Sequence, residues 1–220
     1  MRRIISWLAL SVVLAATAGG CAPQTPAPYD LPPHELDVRS LDRDLILVPP
    51  PPGSTTKPAA PVAAWAAPGQ RAWRHIVIHH SATEDGNAAS FDAMHRAKGW
   101  NELGYHFVID NGKGGPDGAV EVGSRWPVQK WGAHTGGTPD NEYNELGIGI
   151  CLVGNFTHTM PSEAQLASLR NLLAYLMATY DIPPDHVIGH RDAPNAKTEC
   201  PGDELWKYVH GTLRKELGER

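Results

Sequence analysis

Three segments of this chain end on side chains that could hold a metal. His79 and His80 close the apolar run His75-Ile76-Val77-Ile78-His79-His80, which has the length of a strand. His190 follows a second extended stretch, His186 to Gly189, and Cys200 comes ten residues later. Neutral imidazole and thiolate are the donors that a tetrahedral zinc site favours. Residues at strand ends project into a shared crevice, so ligands distant in sequence can meet there. Residue types and spacing leave two readings open: a metal site, or unrelated surface histidines and a buried thiol.

The elements that would position these residues are legible along the chain. Asn87 to Lys98 reads as a helix with Phe91, Met94 and His95 on one side. Tyr105 to Asp110 is a second strand, Asn111-Gly112 is a hairpin turn signal, and Ala119 to Gly123 is the partner strand. Gly147 to Val153 reads as a central strand. Ser162-Glu163-Ala164-Gln165 is a capping box opening a helix whose Leu166, Leu169, Leu173, Leu176 and Met177 form an apolar stripe. Pro183-Pro184 stops that helix, and Asp203 to about Leu217 is a closing one. The Gly-rich stretch Asn111 to Gly118 lacks the Gly-Lys-Ser/Thr of a phosphate loop and fits a hairpin connection. Strands mixed with helices, including a hairpin, predict an α/β fold: a single domain with a central mixed β-sheet flanked by helices.

Composition sets the outer bounds. The 220 residues carry a net charge of −5, with 41% hydrophobic and 20% charged residues, an ordinary soluble core with no basic surface for nucleic acid. Three cysteines, Cys21, Cys151 and Cys200, are too few for a disulfide scaffold. Residues 1–20 place Arg2 and Arg3 before an apolar run and read as a signal peptide, too short for a membrane span. The small residues Ala18-Gly19-Gly20 before Cys21 resemble the lipobox of bacterial lipoproteins, in which the cysteine is lipidated. Residues 21–70 hold 12 of the chain's 20 prolines and read as a tether behind that anchor. The domain is expected over residues 71–220. Its expected place is outside the cytoplasm, lipid-anchored to a bacterial membrane, the outer membrane facing the periplasm.

The wording around the chemical residues is specific. IVIHHSAT, GWNELGYHFVID, GAHTGG, GIGICLVGNF and GHRDAPNAKTECPG occur in order between Arg74 and Trp206. Together they resemble the zinc-dependent N-acetylmuramoyl-L-alanine amidases of the type-2 family, which includes phage lysis amidases and animal peptidoglycan recognition proteins. The resemblance implies one Zn²⁺ per chain, held by His79, His190 and Cys200. His79 rather than His80 matches the family ligand, the first residue after the apolar strand. Alternation puts the two side chains on opposite faces without saying which face is the crevice.

Other roles follow from the same resemblance. Tyr105 matches the family tyrosine whose hydroxyl lies by the metal-bound water. Thr198 takes the place where relatives carry Lys or Thr beside the oxyanion. Cys151 stands where some relatives carry a glutamate base. His134 is expected to line the substrate groove; the alternative is a histidine that stabilises its own loop. Trp100 and Trp131 offer aromatic surface to a sugar or belong to the core, and Arg191 and Asp192 orient the His190 loop. The implied reaction is hydrolysis of the amide joining N-acetylmuramic acid to L-alanine, by a monomer acting on peptidoglycan or muropeptides. The rival is a non-catalytic peptidoglycan-binding lipoprotein of the same fold.

Overall fold

The run His75–His80 forms β1 in the computed structural model, which describes residues 65–67, 69 and 71–218. The expected signal peptide, the lipidation residue Cys21 and most of the tether lie outside the described residues. Four more strands complete a five-stranded sheet: β2 (Phe107–Ile109), β3 (Val120–Val122), β4 (Gly147–Leu152) and β5 (Val187–Gly189), in the order β3-β2-β4-β1-β5. β4 is the middle strand, parallel to β1 and β2; β5 runs parallel to β1, and only the β2–β3 hairpin is antiparallel. This is the mixed sheet that the strand pattern predicts.

Period-two alternation gives the two faces of the sheet different tasks. Ile76, Ile78, Phe107, Ile109, Ile148, Ile150, Leu152 and Val187 point into one large core. Helix α3 (Glu163–Tyr180) covers that face with Leu169, Leu172, Leu173 and Leu176, each worth roughly 1.5–3 kcal/mol of burial. Its capping box is formed: Gln165 N donates to Ser162 Oγ at 3.0 Å and Ser162 N donates to Gln165 Oε1 at 3.2 Å. The closing segment joins the same core as α4 (Asp203–Tyr208) and α5 (Arg214–Gly218), linked by a π-helical turn at Val209–Leu213.

The opposite face carries the chemistry. Along β4, Gly147, Gly149 and Cys151 alternate with the core-facing isoleucines. The register pairs Cys151 with His79 on one side and with Val108 on the other, so these three side chains share a row. β5 ends beside β1 at the pair Ile78–Gly189, which delivers His190 to the same end. Helix α1 (Ala88–Ala97), capped by Asn87, packs Phe91 against Leu103, Val108, Cys151 and Val153 here.

Some details differ from the sequence reading. Met94 is 40% exposed rather than buried with Phe91 and His95. A short helix α2 (Glu142–Glu145) precedes β4; it is too brief to leave a periodic signal. The packed domain also reaches back to Trp65, which is 8% exposed within the main core. Its carbonyl accepts hydrogen bonds from Trp126 Nε1 at 2.9 Å and Tyr175 Oη at 3.3 Å.

Candidate active site

His79 projects from the end of β1, His190 follows directly on β5, and Cys200 lies in the loop before α4. One donor atom from each converges so that all lie within 4.8 Å of one another. His79 Nδ1 and Cys200 Sγ are 3.6 Å apart. A tetrahedral zinc with Zn–S of about 2.3 Å and Zn–N of about 2.0–2.1 Å separates those two donors by about 3.6 Å. The residues therefore fit a zinc ion in chemistry and in spacing.

Local hydrogen bonds hold the cysteine in place. His80 N donates to Cys200 Sγ at 3.4 Å, Arg191 N donates to Cys200 O at 2.8 Å, and Cys200 N donates to Thr198 Oγ1 at 3.1 Å. His80 turns to the other face, where its Nδ1 accepts from Phe156 N at 3.3 Å. It is structural, and His79 is the member of the cluster. The His190 loop is clamped by Asp192, whose carboxylate accepts from Gly189 N and Trp206 Nε1, each at 2.8 Å, and pairs with His210 at 2.9 Å. Arg191 pairs with Asp203 at 2.7 Å. The part of His210 left no signal in the sequence, because it depends on how the closing helix docks.

Electrostatics suit a cation. Burial holds His79 well below the ordinary imidazole range and lowers His190 to about 4, so both present lone pairs. Burial raises the Cys200 thiol to about 12, so the thiolate forms against a positive charge and not without one. Tyr105 lies against the cluster, its ring 5.2 Å from that of His79. Burial, and then the neighbouring Cys151 and Cys200, raise its phenol well above the usual value, which keeps it a hydrogen-bond donor.

A cleft of about 520 Å³ opens beside the cluster, lined by Gly136, Gly137, His190, Asn195, Lys197 and Thr198. His134 is not on its wall. It is 7% exposed and both ring nitrogens are engaged inside the protein, to His79 Nε2 at 3.1 Å, Thr135 Oγ1 at 2.8 Å and Gly147 O at 3.2 Å. It takes an interior position, where Gly132 and Gly149 leave space for its imidazole. Trp100 and Trp131 are half-exposed; Trp100 packs on His95 at 4.5 Å and Trp131 lies 5.7 Å from the Arg125 guanidinium.

One buried group away from the cluster escaped the sequence reading. Asp110, at the end of β2, is 1% exposed, and its Oδ1 has no hydrogen-bond partner among the described residues. Burial, with the Glu121 charge adding to it, raises its carboxyl to about 7.

Residues 69–203 match the Amidase_2 family model, described as N-acetylmuramoyl-L-alanine amidase. The chain belongs to this family. It is 34% identical to peptidoglycan recognition protein 1 of Bos indicus over 146 residues, 62% of this chain and 70% of that protein. It is 36% identical to the N-acetylmuramoyl-L-alanine amidase of Sus scrofa over 129 residues, 56% of this chain but only 19% of that longer protein. Among solved structures, the endolysin amidase LysCS of Clostridium intestinale matches with a TM-score of 0.53 at 30% identity, covering 68% of this chain and 90% of that one. Drosophila peptidoglycan recognition protein SA matches at 0.52 and 28%, covering 66% and 82%. The amidase family thus includes both enzymes and recognition proteins by name.

Proposed function

We propose that this chain is a zinc-dependent N-acetylmuramoyl-L-alanine amidase. Its substrate is peptidoglycan or its muropeptides, cut at the amide between the lactyl group of N-acetylmuramic acid and L-alanine. One observation carries this reading: His79, His190 and Cys200 are all present, with donor atoms within 4.8 Å. A muropeptide as ligand class is supported by Drosophila PGRP-LB, solved as a mutant in complex with tracheal cytotoxin.

Zinc, when bound, would polarise the scissile carbonyl and lower the pKa of water toward ~7. The chain's own groups do the rest. Tyr105 keeps its proton and can donate a hydrogen bond to the oxyanion that develops at the attacked carbonyl. Thr198 Oγ1 accepts from the Cys200 backbone, which leaves its hydroxyl proton free to donate into the cleft it lines. Cys151, its thiol pushed well up by burial, stays protonated and is no general base. Lipidation of Cys21 after export would hold the enzyme at the outer membrane, facing the periplasm.

The test is digestion of purified peptidoglycan by the full-length chain in detergent, with and without a zinc chelator, followed by mass spectrometry of new N-termini. Chelator-sensitive release of L-alanine N-termini is expected, and Cys200→Ser is expected to release none while still binding the wall. Wall binding by zinc-loaded wild type without new termini would replace the enzyme reading with that of a recognition protein. Labelled palmitate incorporated by wild type and not by Cys21→Ser tests the anchor.

A further inference from the structure

We infer that His134 is a positioning residue for the metal centre: it fixes the tautomer and the ring plane of His79 so that Nδ1 faces Cys200. This inference rests on the zinc reading above and adds a residue to it.

The protons set the direction of each contact. A backbone carbonyl can only accept, so the 3.2 Å contact between His134 Nε2 and Gly147 O requires the proton on Nε2. In the neutral ring Nδ1 is then an acceptor. Two groups are placed to donate to it, Thr135 Oγ1 at 2.8 Å and His79 Nε2 at 3.1 Å. A proton on His79 Nε2 leaves Nδ1 bare, and Nδ1 is the nitrogen that stands 3.6 Å from Cys200 Sγ. The chain of dependence runs from a main-chain carbonyl of β4 to the lone pair of a candidate ligand. Ligand imidazoles are commonly steadied through their second nitrogen by a carboxylate, a carbonyl or water; here another histidine does it.

The ring that does this is itself immobilised. A Cβ on Gly149 would lie 2.3 Å from His134 Cδ2, and one on Gly132 would lie 2.4 Å from the same atom. His134 N and Thr135 N both donate to Asn144 Oδ1, at 2.8 and 2.9 Å. Behind it His106 is locked as well: its Nδ1 accepts from Gly149 N at 2.9 Å and its Nε2 contacts Lys130 O at 3.0 Å. The packing of glycines around the imidazole serves a fixed ring, whereas a substrate contact would need one that is accessible.

The experiment measures zinc affinity of the full-length protein by competition with a chromophoric chelator, and the visible spectrum of the Co²⁺-substituted form. His134→Leu should weaken zinc binding about 10–100-fold and alter the cobalt bands. His134→Asn, whose amide oxygen can accept the same hydrogen bond, should restore most of the affinity. Nitrogen-15 NMR of metal-free wild type should find His79 with its proton on Nε2, a readout that needs no variant to fold. A proton on Nδ1, or His134→Leu protein with unchanged zinc affinity and cobalt spectrum, would overturn the inference. Wild type that takes up no zinc at all would instead remove the metal reading beneath it.

Discussion

Gly149 and His134 occupy one another's space: the ring lies where any side chain at position 149 would have to go, 2.3 Å from an added Cβ. Substituting Gly149→Ala must displace the imidazole or bend the middle strand. A loss of about 1–3 kcal/mol is expected, as for other overpacked interiors. Urea unfolding of the metal-free protein measures it, and zinc affinity should fall in the same variant. Wild-type stability and affinity together would show that the ring can move aside freely.

Tyr105→Phe separates chemistry from metal binding. On the proposed mechanism the hydroxyl donates beside the three candidate ligands and is not one of them, so zinc stoichiometry should stay at wild-type level. Turnover of peptidoglycan should drop by about 10²–10³, the range for removing one oxyanion donor. A variant that loses zinc as well would make the tyrosine part of the metal site.

Acid should destabilise the metal-free fold before it protonates most carboxylates. Burial lowers His79, His106, His134 and His190 below 6.5, with His106 and His190 at about 4. Between pH 6.5 and 4 the unfolded chain binds protons that the native state refuses, so unfolding free energy falls as pH falls. The stabilisation is complete above 6.5. His106 alone, fully buried, accounts for roughly 3 kcal/mol across that window. Denaturant midpoints at several pH values should show the decline, and a flat profile would contradict it.

Asp110 works in the opposite sense. Its carboxyl is raised to about 7, so the native state holds a proton that the unfolded chain has already lost above 3.8. Its contribution therefore falls as pH rises from 3.8 to 7, against the four histidines. Asp110→Asn should stabilise the protein at pH 8 and make little difference at pH 4. Equal stability of the two proteins at pH 8 would mean that the carboxylate finds a partner.

The sheet was legible because its strands alternate: Gly-Ile-Gly-Ile-Cys-Leu announces a strand with one aliphatic face, and Ser162 with Gln165 marks the start of α3. The candidate ligands were legible because family wording surrounds them, and the structure brings His79, His190 and Cys200 together. The place of His134 was hidden for a physical reason. A histidine after Gly-Ala reads as a loop residue, and only the folded chain brings Gly132 and Gly149 against its ring. Trp65 was hidden by its setting, since the prolines before it describe a tether and one buried indole does not change that composition. The clamp of Asp192 by Trp206 and His210 joins segments that no local pattern connects.

The alternation along Gly147–Leu152 also sets how this strand can change over time. Positions 148, 150 and 152 face a broad aliphatic layer in which one branched side chain can substitute for another with modest repacking. On the other parity, added bulk at 147 would meet the Tyr143 carbonyl and at 149 the His134 ring, while Cys151 sits in the row of His79. Variation in this strand should therefore sort by parity, drifting on one face and nearly frozen on the other. A lineage could refit its interior there without disturbing the cluster of histidines and cysteine.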